Sequence, residues 1–212
     1  VTDSSGALLQ GYQADANGNI TSTVGNITLS SSDVAPQATT TATILGNLNA
    51  SSTVPSTAFA TTDTTSYNFS TGTTFYDSLG NAHQMQLYFR KTAATAQTNM
   101  TFSAAGAVTA GGTQTVSAVL TTGATTPQTV TVSLAGLTQF GTASGIISNI
   151  QDGFGAGTLE KISVDKQGQV VAQFTNGQTK ALAQVVLNRF TNPDGLISGG
   201  DNHFTETVES GA

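Results

Sequence analysis

The chain has no cysteine and no tryptophan in its 212 residues. Disulfide staples are excluded, and a chain of this length can bury a core without them. Charge is scarce: 8% of residues are Asp, Glu, Lys or Arg, with six basic residues against twelve acidic ones and a net charge of −6. The basic residues form no run. Phosphate backbones and anionic membrane surfaces are bound by clustered cations, so this composition disfavours nucleic acid and lipid surfaces as partners. No apolar stretch reaches the ~20 residues of a membrane-spanning helix. No basic-then-apolar segment opens the chain and no Met begins it, so it reads as a trimmed fragment without a cleaved signal peptide. From residue 92 to residue 151 there is no charged side chain at all.

Thr, Ser, Gly and Asn fill the space left by charge. Disordered chains pair low hydrophobicity with high net charge. Here 37% of residues are hydrophobic and the charge is low, and β-branched residues suit strands. The reading is a folded, all-β protein. Short strands are expected at residues 8–12, 25–29 and 42–49. Met85, Leu87 and Phe89 alternate with Gln84, Gln86 and Tyr88, the period of a half-buried strand. That strand pairs with residues 72–76 across a turn at residues 77–81. Residues 115–120 and 128–134 alternate apolar with Thr or Ser, as in a sandwich or barrel; the alternative for this stretch is a low-complexity insertion. Residues 158–164 and 169–174 flank a turn at 165–168. Asn176 and Gly177 make the strongest hairpin signal. Residues 180–190 fit a strand or a helical face; Val185, Val186 and the preceding turn favour a strand. Turns are also expected at residues 3–6, at 15–19 and around Asp201, and a linker at residues 30–41.

Candidate chemistry is sparse. Ser78 or Asp77 could pair with His83, but there is no nucleophile elbow and no separate oxyanion loop; a surface turn is the better reading. His203, beside Asp201 and Asn202, reads as a turn residue, since a zinc site needs three or four clustered ligands. Asp15, Asn17 and Asn19 resemble a calcium loop only faintly: Gly18 stands fourth where the loop needs glycine sixth, and Asn26 stands where a bidentate Glu belongs. Asp152, Asp194 and Asp201 adjoin Gly or Asn, as turn residues do. No catalytic residue, cofactor site or metal site is assigned.

The most specific pattern lies near the C-terminus. Gly177, Gln178 and Thr179 are followed by Leu182 and Gln184, an apolar run at Val185–Leu187, then Phe190, Asn192, Gly195 and Leu196. Asp152, Gly153, Gly157 and Leu159 precede it, with Asp165, Gly168 and Val170. Gly200, Asn202, Phe204, Thr207, Ser210 and Gly211 follow it. Leu9, Gly11 and Tyr12, then Asn47, Leu48 and Asn49, Tyr67 and Asn68, and Tyr76 to His83 stand upstream in the same order. Together these resemble the bacterial flagellar hook and rod proteins. Residues 92–149 carry no such motif.

The resemblance implies an extracellular homopolymer of the flagellum with no active site and no cofactor. The subunit would leave the cell through the flagellar secretion apparatus. It would meet rod, hook-cap and hook–filament junction proteins, with no membrane insertion and no nucleic acid. It further implies a discontinuous inner β domain (residues 1–41 with 150–212) and an inserted outer β domain (residues 42–149). The expected hinge lies where the chain crosses between them, at Pro36, Thr41, Asn149 and Gly153. A distal rod protein of the same family and a sugar-binding adhesin module are the alternative readings.

Overall fold

The computed structural model describes residues 1–2, 6–29, 33–92, 100–200 and 202–211. The expected turns at 3–6 and Asp201, and part of the expected linker at 30–32, therefore lie wholly or partly outside the described residues. So does the head of the charge-free segment, at 93–99. Among the described residues the chain is all-β, with three single-turn 3-10 helices.

The strands run in order as β1 (Gln10–Ala14), β2 (Ile20–Asn26), β3 (Thr41–Asn49), β4 (Phe69–Tyr76) and β5 (Ala82–Phe89). Next come β6 (Thr101–Phe102), β7 (Val108–Ala110), β8 (Thr113–Ala118), β9 (Gln128–Ser133), β10 (Leu137–Phe140) and β11 (Gly145–Gln151). The last are β12 (Leu159–Val164), β13 (Gln169–Phe174), β14 (Thr179–Val185), β15 (Ile197–Gly200) and β16 (His203–Thr205). Contacts divide the chain into two units. The first comprises Val1–Val34 and Gly157–Ala212, the second Ala35–Ala156.

The first unit is an antiparallel sheet in the order β12-β13-β14-β1-β2. Val170, Ala172 and Phe174 alternate inward along β13 and are buried, as are Ile27 and Ala183. β1 approaches β14 closely: a Cβ on Gly11 would stand 2.2 Å from the Gln184 carbonyl oxygen. β2 covers Ile20–Asn26, earlier than the strand expected at residues 25–29. The turn after β1 sets the return at Ile20, and Thr and Ser suit an exposed edge where no apolar alternation is required. Residues 180–190 form a strand only as far as Val185.

In the second unit β3 is central. β11 pairs antiparallel along one edge. β9 and β10 both pair parallel along the other edge of β3, and β8 extends the sheet beyond β9. Ala42, Ile44, Val130, Val132, Leu134 and Leu137 form its buried face. The β4–β5 hairpin packs Phe75, Met85, Leu87 and Phe89 on that face. The opposite face of β8, β9 and β3 carries only hydroxyl side chains over several rows. Thr113 lies opposite Ser133, Thr115 opposite Thr131 and Ser117 opposite Thr129, with Thr41 and Thr43 continuing two of the rows on β3.

Candidate functional site

One turn recurs in both units. Asp15, Asp77 and Asp165 each begin a five-residue hairpin loop with glycine fourth. The first residue's N–H bonds the fifth residue's carbonyl, and the glycine N–H returns to the first residue's carbonyl. Residues 103–107 and 174–178 close in the same way. The five glycines, Gly18, Gly80, Gly106, Gly168 and Gly177, have φ between 76° and 85°, a region only glycine enters without strain. This is a type I turn closed by a glycine bulge. A two-residue Asn-Gly turn would need both residues at positive φ. At Asn176–Gly177 only the glycine is there, and Asn176 Oδ1 instead accepts from the Gln178 N–H at 3.1 Å.

The turn at Asp77 differs from the others in depth. The Asp77 side chain is fully buried. Its carboxylate accepts from the N–H groups of Leu79 and Asn81, both at 2.9 Å. It also accepts from Asn81 Nδ2 at 3.0 Å, His83 Nε2 at 2.9 Å and Thr122 Oγ1 at 2.9 Å. Burial pushes the carboxyl up; the hydrogen bonds from His83, Asn81 and Thr122 outweigh it and hold the group far below its ordinary 3.8. A carboxylate only accepts, so His83 Nε2 carries the proton in this contact. The geometry is not that of a triad: His83 presents Nε2, the nitrogen a triad aims at serine, to Asp77, and the Ser78 hydroxyl accepts from the Thr125 N–H at 2.9 Å. His83, expected on a surface turn, is partly buried against Asp77 and stacks on Phe75.

Beside Asp77 lies a second set of polar contacts, where the chain enters and leaves this unit. Thr39 is fully buried. Its hydroxyl donates to Gln151 Oε1 at 2.8 Å and accepts from the Tyr76 N–H at 2.9 Å. Gln128 Nε2 donates to the carbonyls of Thr39 and Tyr76, both at 2.9 Å. The Asp152 carboxylate accepts from the N–H groups of Thr40 at 2.8 Å and Thr41 at 3.0 Å, and from both their hydroxyls. Burial raises its pKa, but the bonds from Thr40 and Thr41 prevail and leave it below 3.8. Gln37 and Phe154 exchange two backbone hydrogen bonds of 2.9 Å.

The four expected hinge residues all lie inside the second unit. Thr41 is held by Asp152. Asn149 accepts from Thr73 Oγ1 at 2.9 Å and donates to the Gly72 carbonyl at 3.1 Å. Pro36 Cβ would lie 2.8 Å from a Cβ on Gly80. Gly153 is buried against Thr39. His203 begins β16, and Asp15 pins its own turn with Asn19. Among the described residues no three His, Asp or Glu side chains gather into a metal site. No helix there is long and apolar enough to cross a membrane.

A concavity of about 640 Å³ also lies in the second unit, lined by Leu48, Leu87, Phe89, Phe102 and Val116 among others. Its two cations hold backbone. The Arg90 guanidinium donates to the carbonyls of Ser66, Pro55 and Thr57 at 2.9–3.1 Å, and Lys91 Nζ donates to that of Ala50 at 2.6 Å. Sequence reasoning did not foresee that Thr39, Asp77, Gln128 and Asp152 converge. The recurring Asp-x-x-Gly spacing was the available signal for Asp77; nothing in the sequence ties Gln128 or Thr122 to it.

Comparison with known proteins bears on these units. A family model described as the flagellar basal body protein FlaE D2 domain matches residues 47–99 and 92–154, so it covers the segment in which no motif was visible. The flagellar hook protein FlgE of Salmonella typhimurium is 35% identical over 205 residues, covering 87% of this chain and 51% of that protein. That of Escherichia coli K12 is 33% identical, covering 88% and 51%. The chain thus spans about half the length of the curated relatives it matches. The crystal structure of Helicobacter pylori flagellar hook protein FlgE2 shares the fold, with a TM-score of 0.51 at 18% identity over 68% of this chain and 38% of that one. By the family model and by identity along most of its length, the chain belongs to the flagellar hook protein family.

Proposed function

We propose that the chain is the β-structured portion of a structural subunit of the flagellar hook, outside the cell. In this reading it assembles with copies of itself and passes torque from rod to filament. The observation that carries this is the identity to proteins named flagellar hook protein along 87% of the chain, which favours it over the rod and adhesin alternatives. The polar groups support a mechanical rather than a catalytic role: Asp77, Asp152 and Arg90 are each engaged in holding backbone. Uncharged rows of Thr and Ser on β8, β9 and β3 suit contacts that exchange direct and water-bridged hydrogen bonds as neighbouring subunits shift. Contact with rod, hook-cap and hook–filament junction proteins belongs to the same reading.

The inserted-domain layout and its hinge are part of this proposal. Thr41, Asn149 and Gly153 are bonded or packed within the second unit, which supports seeking the flexing at residues 34–35 and 156–157. The test is a chimera: this chain replaces the matching segment of the Salmonella typhimurium hook protein in cells lacking their own. Hooks visible by electron microscopy and restored swimming are expected. Hookless cells in which the chimera is stable and secreted would overturn the reading.

A further inference from the structure

The second unit begins and ends on adjacent extended segments, and their joining is unusually rich in side-chain bonds. Gln37 and Phe154 exchange backbone bonds, and Gln37 Nε2 adds one to the Asp152 carbonyl at 2.8 Å. Next inward, Thr39 Oγ1 reaches Gln151 Oε1. Then the Asp152 carboxylate takes both N–H groups and both hydroxyls of Thr40 and Thr41. Only beyond these does the regular β3–β11 ladder start, at the Ala42–Gln151 pair. The partners in the side-chain bonds are 111 to 115 residues apart in sequence, so almost the whole unit is the loop that this junction closes.

We infer that Asp152, with Thr40 and Thr41, is a clasp that closes the second unit at its two ends and takes mechanical load before the unit's core does. Tension on the chain at Ala35 and Ala156 is shared on the outer side by the backbone bonds that Val34 and Gly157 exchange; on the inner side it meets the Gln37–Phe154 pair and then the carboxylate. While the clasp holds, the force path runs from one end to the other through it, and β4–β10 carry none. The carboxylate suits this task because hydrogen bonds to a charged acceptor are roughly twice as strong as neutral ones. Two consecutive residues bonded through both N–H and O–H must release together. The value of such a clasp to a torque-bearing polymer rests on the function proposed above. The clasp itself is tested on the isolated chain, so its failure and the failure of that function are separable.

The chain has no native cysteine, so Ala35→Cys and Ala156→Cys, both at exposed positions, give unique handles for single-molecule pulling. The expected result is a lower first-rupture force in Asp152→Asn and Asp152→Ala than in the handle-bearing parent, with Asp63→Asn, a turn-capping carboxylate elsewhere in the unit, unchanged. Hydrogen exchange on the chain without handles supplies the second readout. Amides of Thr40 and Thr41 are expected to exchange about ten- to a hundredfold faster in the Asp152 variants, the loss of bonds to a charged acceptor, with Ile44 and Val132 unaffected. Unchanged force, unchanged exchange at Thr40 and Thr41, or equal acceleration throughout the unit would each overturn the clasp. The last would make Asp152 a contributor to general stability only.

Discussion

Gly153 lies against Thr39 so closely that a Cβ on the glycine would stand 2.2 Å from Thr39 Oγ1 and 2.7 Å from its backbone nitrogen. Neither atom can move aside, since the hydroxyl is buried between Gln151 and Tyr76. Gly153→Val is therefore expected to destabilise the second unit by at least about 2 kcal/mol, as overpacking a tight site does. Urea unfolding followed by tyrosine fluorescence reads this, because three of the four tyrosines, Tyr67, Tyr76 and Tyr88, lie in that unit. Loss of motility in such a variant would then report lost folding, not a stiffened hinge. A variant as stable as the parent would show that the Thr39 contact yields.

Acid should loosen the protein through its carboxylates. Asp77, Asp152, Asp15 and Asp63 all have folded pKa values below 3.8. Below that value the unfolded chain binds more protons than the folded one. Their stabilisation is thus present above about pH 4 and fades as pH falls through and below 3.8. The urea midpoint is expected to drop between pH 5 and pH 2, and to drop less in Asp77→Asn. A parallel decline in the variant would mean that Asp77 is not a principal source of the acid sensitivity.

The recurring glycine turn separates two kinds of cost. At Gly168, φ is +76° and a Cβ would meet nothing nearer than 3.9 Å. Gly168→Ala should lose about 1–2 kcal/mol, the penalty of left-handed backbone alone, and Gly168→Asn should lose less. At Gly80 the same φ region adds a clash with Pro36 Cβ at 2.8 Å, so Gly80→Ala should lose clearly more. Thermal unfolding of the three variants gives the comparison. Equal losses at both glycines would refute the packing contribution.

Arg90 fastens the loop between β3 and β4 by three carbonyls. Phe59 and Tyr67 of the same loop meet Tyr88 edge to face, with centroids of the three rings 4.9–6.5 Å apart. Lysine cannot reproduce the planar fork of donors. Arg90→Lys should weaken the near-ultraviolet dichroism of this cluster and speed amide exchange at Ser66, at a cost of about 1–3 kcal/mol. An unchanged spectrum would mean that the aromatic contacts alone hold the loop.

What could be read from the sequence follows physical range. β5 was legible because Met85, Leu87 and Phe89 alternate with polar residues within one strand. β12 and β13 were legible because Asp165 and Gly168 join them locally. The parallel pairing of β3 with β9 and β10 was not, since no local signal links Thr41 to Thr131 or Leu137 to Gly46. β2 was placed too late because an edge strand of Thr and Ser needs no apolar period. At the site, the Asp77 turn was visible, but its burial depends on Thr122 arriving from a distant loop. Pro36, Thr41, Asn149 and Gly153 stand where the composition changes, and composition carries no trace of what each touches across the unit.

The pairing of β3 also governs when the second unit can form. Among the described residues, the strand at its centre pairs with residues 131–133, 137–140 and 145–151. In any chain delivered from its N-terminus, β3 must therefore wait for roughly the next hundred residues to emerge. Such high contact order makes folding slow relative to locally paired sheets. β12, β13 and β14 follow one another through five-residue turns and can zip as they appear. The β3 sheet is thus completed only once residue 151 is available, whereas the β4–β5 hairpin of the same unit pairs locally before that.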